Sequence, residues 1–249
     1  MEAQKKIPKK KSKRARKTKP KPSQAIQAPI AKTVLVRLPN PTMRANTDGS
    51  VTISKREMAF SVETSKTFKV QAFNLFPGGF PAWIQGPASS WSKWKWLSLK
   101  FDYIPTCSTS TPGLFAMGYI YDFKDTVPTS EQAFSGLFHY AAGPYWAGAD
   151  NPKLESVFDP NRSSMKNYPY ITPNQLEQVF AKEPGMCNDF VPGRLLFSCS
   201  GGPDTAIAAG RVFVTYKIQL IEPCPQQVDA APKAVTPVTL FDGSTSSTQ

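Results

Sequence analysis

Two aspartates, Asp122 and Asp125, close the apolar run from Leu114 to Tyr121. A strand apolar on both faces belongs inside a sheet, so this one should carry its carboxylates to the rim of a buried sheet. Paired carboxylates at such a rim suit a hard cation, which binds through oxygen. The bland reading is an acidic turn, with Asp122 ending the strand and Asp125 helping to start the turn at Thr129. Residue type and spacing leave both readings open. Other reactive groups are sparse. His139 is the only histidine, which removes multi-imidazole metal sites and leaves any nucleophile relay one imidazole. GxxxxGK, GxGxxG and HExxH are absent, so nucleotide and zinc-peptidase chemistry has no support and no enzyme is expected. Cys107, Cys187, Cys199 and Cys224 show no CxxC spacing; free thiols in a reducing cytosol are the expectation. Asn161-Arg-Ser163 fits a glycosylation sequon but follows no apolar signal region, so it should stay bare.

Charge sits at one end. Residues 1–22 carry Lys5, Lys6, Lys9, Lys10, Lys11, Lys13, Arg14, Arg16, Lys17, Lys19 and Lys21 against Glu2, a net +10 of the chain's +12. Such asymmetry points to an anionic polymer or a membrane surface as partner. No apolar run approaches spanning length, and no membrane partner is expected. Residues 1–22 have too little apolar surface to fold alone and should be disordered. They read as a phosphate-neutralising, RNA-binding arm; a solubilising tail or nuclear import signal is the bland alternative. Without interleaved aromatics the arm should read backbone charge, not base sequence.

The elements that must position these residues follow from apolar period. Residues 23–50 form a proline-broken connector, with one short strand candidate at Thr33–Leu38. Val51–Val62 switches apolar phase from Val51/Ile53 to Met58/Phe60/Val62, which predicts a bulge. Thr67–Phe73 places Phe68, Val70 and Ala72 inward. Trp96–Tyr103 alternates, Leu114–Tyr121 is the buried central strand, and Leu137–Ala142, Met165–Ile171 and Leu195–Cys199 are further strands. Arg211–Ile221 alternates with Val212, Val214, Tyr216, Ile218 and Leu220 on one face. Pro87 should open a helix carrying Trp91 and Trp94. Four of the five tryptophans lie between Trp83 and Trp96 and read as packing residues rather than base platforms. Capping boxes start helices at Thr129-Ser-Glu-Gln132 and Thr172-Pro-Asn-Gln175, and Pro184-Gly185 stops the second. Eight strands with short helices in loops give an all-β, antiparallel jelly-roll sandwich over residues 51–222, followed by a flexible tail at 223–249.

An ordered set of residues also resembles a known family. Tyr103, Pro105, Cys107, Ser108, Thr109, Gly113, Met117, Gly118, Tyr121, Asp122, Asp125 and Pro128 resemble the coat proteins of small icosahedral plant RNA viruses, the sobemoviruses most closely. Trp146-Ala-Gly-Ala-Asp150, Val191-Pro-Gly-Arg194 and the last long strand match in the same order, so that with the arm the resemblance spans roughly residues 1–222. It implies a capsid protein that self-assembles into an icosahedral T=3 virion, with the arm inside on genomic single-stranded RNA. The connector would be ordered in some subunits and not in others. Asp122 and Asp125 would bind Ca2+ between adjacent subunits, with oxygen ligands from the neighbour, one near its Phe190. A further family ligand, from the chain end, has no match here. Bound calcium would depress the carboxylate pKa values, and empty sites would raise them. Virion, host cytoplasm and, through the arm, nucleus are the expected settings. The family ends soon after its last strand, so the tail departs from it. The rival readings are a non-viral RNA-binding protein with a basic tail on a β-sandwich, and a lectin-like binding module.

Overall fold

The structure, a computed structural model, describes residues 36–147, 154–163, 165–226 and 238–243. The basic arm, Thr33 to Leu35 of the first strand candidate, and Gly148 to Asp150 lie outside them. In chain order the described strands are β1 (Thr42–Ala45), β2 (Val51–Glu63), β3 (Lys69–Asn74), β4 (Trp91–Pro105), β5 (Leu114–Ile120), β6 (Phe138–Pro144), β7 (Glu155–Phe158), β8 (Tyr168–Pro169), β9 (Arg194–Ser200), β10 (Ala208–Pro223) and β11 (Val238–Asp242). They build two antiparallel sheets. The first runs β1-β2-β10-β4-β7 with β8 beside β4, and the second runs β11-β3-β9-β5-β6. This is the jelly-roll sandwich that the strand pattern predicts.

Strict alternation explains why β10 is the spine of the first sheet. Val212, Val214, Tyr216, Ile218 and Leu220 are all buried, and β10 pairs along its length with β2 on one side and β4 on the other. The phase switch in β2 is a bulge: Val212 faces Phe60 and Phe213 faces Met58, so Ala59 is the extra residue. The bulge turns Phe60 and Val62 inward and leaves Met58 exposed. Between the sheets the core is aromatic. Phe60 stacks on Phe197 at 4.4 Å, and Phe80 lies 4.7 Å from Trp96 and 5.8 Å from Tyr216. Trp94 and Trp96 are buried and donate their indole N–H groups to the carbonyls of Pro169 and Leu75, so they pack as expected.

The second sheet is covered on both faces. Phe115, Met117, Leu195 and Phe197 face the main core. Val70, Ala72, Ala116, Ile120 and Leu196 make a smaller cluster on the far side, under Phe134 of the helix α2 (Glu131–Phe134), with Phe68, Val127, Leu137 and Leu240 around it. β5 is therefore buried on both faces. Phe68, Val70 and Ala72 join the far cluster, not the main core, which takes Phe73 instead.

Other elements differ from expectation. The helix α1 runs Ala82–Ala88, with Pro87 inside its end rather than at its start. Trp91 and Trp94 begin β4, because β10 continues to Pro223 and pairs them with Pro223 and Leu220. Ser130 rather than Thr129 caps α2, accepting the N–H of Ala133. The third helix, α3 (Pro173–Lys182), has the predicted capping box between Thr172 and Gln175. Met165–Ile171 shrinks to β8, and the connector's strand forms at Thr42–Ala45, while Val36 to Leu38 have no strand. Within residues 223–249, read as a flexible tail, Val238–Asp242 forms β11 on the edge of β3. Among the described residues no helix is long and apolar enough to cross a membrane.

Candidate functional site

The rim of the second sheet holds both aspartates. β5 ends at Ile120, where Val191-Pro-Gly-Arg194 leads into β9. Gly193 sits at φ +150°, and a Cβ there would lie 2.5 Å from the carbonyl oxygen of Ile120. Glycine is required on both counts. The chain then turns through Asp122–Asp125, with the N–H of Asp125 donating to the carbonyl of Asp122 at 3.2 Å. Asp122 Oδ1 accepts two hydrogen bonds, 2.9 Å from the Lys124 N–H and 2.6 Å from Asn188 Nδ2. Asn188 Oδ1 accepts the N–H of Phe123 at 3.0 Å. A short 3-10 turn, Pro184–Asp189, thus clamps the acidic turn from a distant part of the chain.

These bonds set the charge state. Donation from the Lys124 N–H, then from Asn188, holds the half-buried Asp122 carboxyl below the usual carboxylate range, and nearby Lys124 and Arg194 add to this. Within the single subunit, hydrogen bonds to the ionised form outweigh desolvation at Asp122. Arg194 is buried beneath the turn. Its guanidinium lies 4.6 Å from the Phe123 ring centroid, and Nη2 is 3.5 Å from the Phe123 carbonyl.

Asp122 and Asp125 share one turn, and Asp125 is exposed. No group of three metal-ligating side chains occurs among the described residues. Calcium takes six to eight oxygens, so this pair would form only part of a site and would need oxygens from outside the subunit. Asn188 is the residue that sequence reasoning missed. It lies 66 positions from Asp122, and no local signal marks it. Phe190, expected beside a neighbour's ligand, lies two residues from Asn188 on the same chain. His139 occupies β6 at φ 51°, with its carbonyl accepting the Ser156 hydroxyl at 2.7 Å. All four cysteines are free thiols.

Comparison with known proteins gives one consistent answer. The family model for viral coat protein (S domain) matches residues 23–226. The capsid protein of Poinsettia latent virus is 31% identical over 80% of this chain and 70% of its own length. That of tobacco necrosis virus strain D is 29% identical over 80% of this chain and 77% of its own. Among solved structures, tobacco necrosis virus superposes with a TM-score of 0.74 at 27% identity, covering 80% of this chain and 94% of the other. Cocksfoot mottle virus shares the fold, with a TM-score of 0.58 at 21% identity over 70% of this chain and 94% of the other. The relatives are tombusvirus-like plant virus capsid proteins, and the sobemovirus resemblance points to the same group.

Proposed function

This chain belongs to the viral coat protein S-domain family and is a capsid-forming structural protein of the virion, not an enzyme; from that premise we propose how it holds RNA and metal. Residues 1–22 package single-stranded RNA inside a T=3 shell, and Asp122 with Asp125 binds calcium where subunits meet. The observation that supports the RNA reading is the concentration of +10 in a segment of 22 residues. Condensed counterions leave RNA as the lysines and arginines engage phosphates, which favours binding without sequence readout. Synthesis and packaging belong to the host cytoplasm, with the arm also able to act as a nuclear address.

The calcium reading is supported by a turn that keeps Asp122 ionised beside an exposed Asp125. Ca2+ bound there would bridge these carboxylates to a neighbour's oxygens and neutralise charge at the contact. The test is sedimentation of particles from the full chain and from an Asp122→Asn/Asp125→Asn variant, with and without chelator at pH 7. Chelator should swell the former and leave the latter unchanged. If neither responds, or both do, the metal assignment is wrong. The arm is tested separately by replacing its eleven lysines and arginines with glutamine, which should abolish most packaging and leave the body folded. Normal packaging by that variant refutes the arm's role.

A further inference from the structure

The chain continues past the S-domain match. The family match ends at residue 226, yet Val238–Asp242 returns as β11 and takes the outer edge of the second sheet. Its register on β3 runs from Val238 opposite Ala72 to Asp242 opposite Lys69, with a bulge between Thr239 and Phe241 that leaves Leu240 as the extra residue. The N–H of Gly243 extends the ladder to the Phe68 carbonyl at 3.0 Å.

What β11 covers is an edge suited to a guest strand. An open edge presents unpaired N–H and C=O groups and templates pairing with another chain unless proline, bulges or charge blunt it. β3 has no proline and pairs with β9 without a register shift, and its one charged residue is Lys69 at its start. Two of its side chains, Val70 and Ala72, belong to the apolar cluster on the far face of the sheet, and Leu240 packs against that cluster. A proline-free backbone edge beside an apolar cluster is what strand addition uses: the ladder supplies affinity and the cluster takes a side chain, here that of the bulged Leu240.

We propose that the β3 edge and the cluster under Leu240 form a binding site for an extended apolar peptide. Residues 238–243 of the same chain fill it, and their presence keeps a second copy of the protein from pairing there. The tail is then an edge guard, which directs contacts between copies to other surfaces of the shell domain.

The test uses the full chain with Leu240→Asp, which places a charge against the apolar cluster, and Leu240→Met as the conservative control. Hydrogen exchange should show β3 amides that face β11 opening at least tenfold faster in Leu240→Asp, with β5 and β9 amides unchanged. Sedimentation of dissociated subunits, in a buffer where wild type does not assemble, should show concentration-dependent association of Leu240→Asp beyond that of wild type or Leu240→Met. A synthetic peptide of residues 236–245 should restore protection and suppress that association. Equal β3 protection in all three proteins overturns the docking role of the tail. Faster exchange with unchanged sedimentation overturns the guard, and a peptide without effect overturns the acceptor site.

Discussion

Replacing Asp122 by asparagine and, separately, by alanine distinguishes the charge of the acidic turn from its geometry. Asparagine keeps an oxygen for the Lys124 N–H and Asn188 Nδ2, now 2.9 and 2.6 Å from the carboxylate. What it loses is the extra strength of bonds to an ionised acceptor, roughly 0.5–1 kcal/mol at a half-buried site. Alanine removes both bonds, and water replaces them only in part, for a loss of about 1–2 kcal/mol. At roughly 2–4 °C per kcal/mol for a domain of this size, alanine should lower the melting temperature by about 2–8 °C. The assay is thermal and urea unfolding of dissociated subunits in chelator. A pH series adds a sign. The folded pKa of Asp122 is lowered, so its contribution to stability is present above the unfolded value near 4 and fades as pH falls through the folded value. Wild type should therefore lose its advantage over Asp122→Asn only in strong acid. Equal losses for asparagine and alanine, or an advantage that vanishes already at pH 6, would refute this account of the turn.

Binding of RNA by the full chain should show a log–log salt slope of about −8 if all eleven arm cations engage, from roughly 0.7 per phosphate contact; a slope near zero in filter binding excludes the arm mechanism. Arg56 donates to Asp102, whose side chain is 2% exposed against 28% for the arginine. Arg56→Met should then cost about 3 kcal/mol by taking a charged partner from a buried carboxylate, whereas Asp102→Leu should cost about half, since the guanidinium reaches water and still lies over Phe213; urea unfolding with the order reversed would count against this. Burial pushes the Cys187 thiol up to about 11 and that of Cys199 to about 12. Iodoacetamide at pH 8 should label Cys107 and Cys224 in the native protein and reach the other two only after unfolding, as read by mass spectrometry.

Much of the fold was legible because its signals were local. The alternation of β10, the phase switch of β2 and the Thr172 capping box each report a periodicity or a four-residue motif. The misreadings came where period was ambiguous or the partner distant. Trp91 to Trp94 has helical spacing and Trp94 to Trp96 strand spacing, and only the full length of β10 decides in favour of strand. Phe68, Val70 and Ala72 reveal an apolar face, but alternation cannot say which side of a sheet it occupies when both sides are covered. β7 and β11 are four and five residues long, and each is defined by the edge it joins. At the candidate site the aspartate pair was visible as two residues three positions apart. The Asn188 clamp, which adds to the Lys124 N–H in favouring the ionised form of Asp122, exists only in three dimensions.

The placement of β10 has a consequence for timing. Its partners β2 and β4 precede it by more than a hundred residues, so the strand that joins them is synthesised well after both, with Val51 opposite Leu220 and Glu63 opposite Ala208. The first sheet cannot close until β10 has left the ribosome, and such distant pairing is intrinsically slow to form. The arm precedes all of these strands and, on the proposed reading, needs no fold to attract phosphate. During each round of synthesis, therefore, a cationic segment is available to RNA well before the surfaces that tile the shell exist.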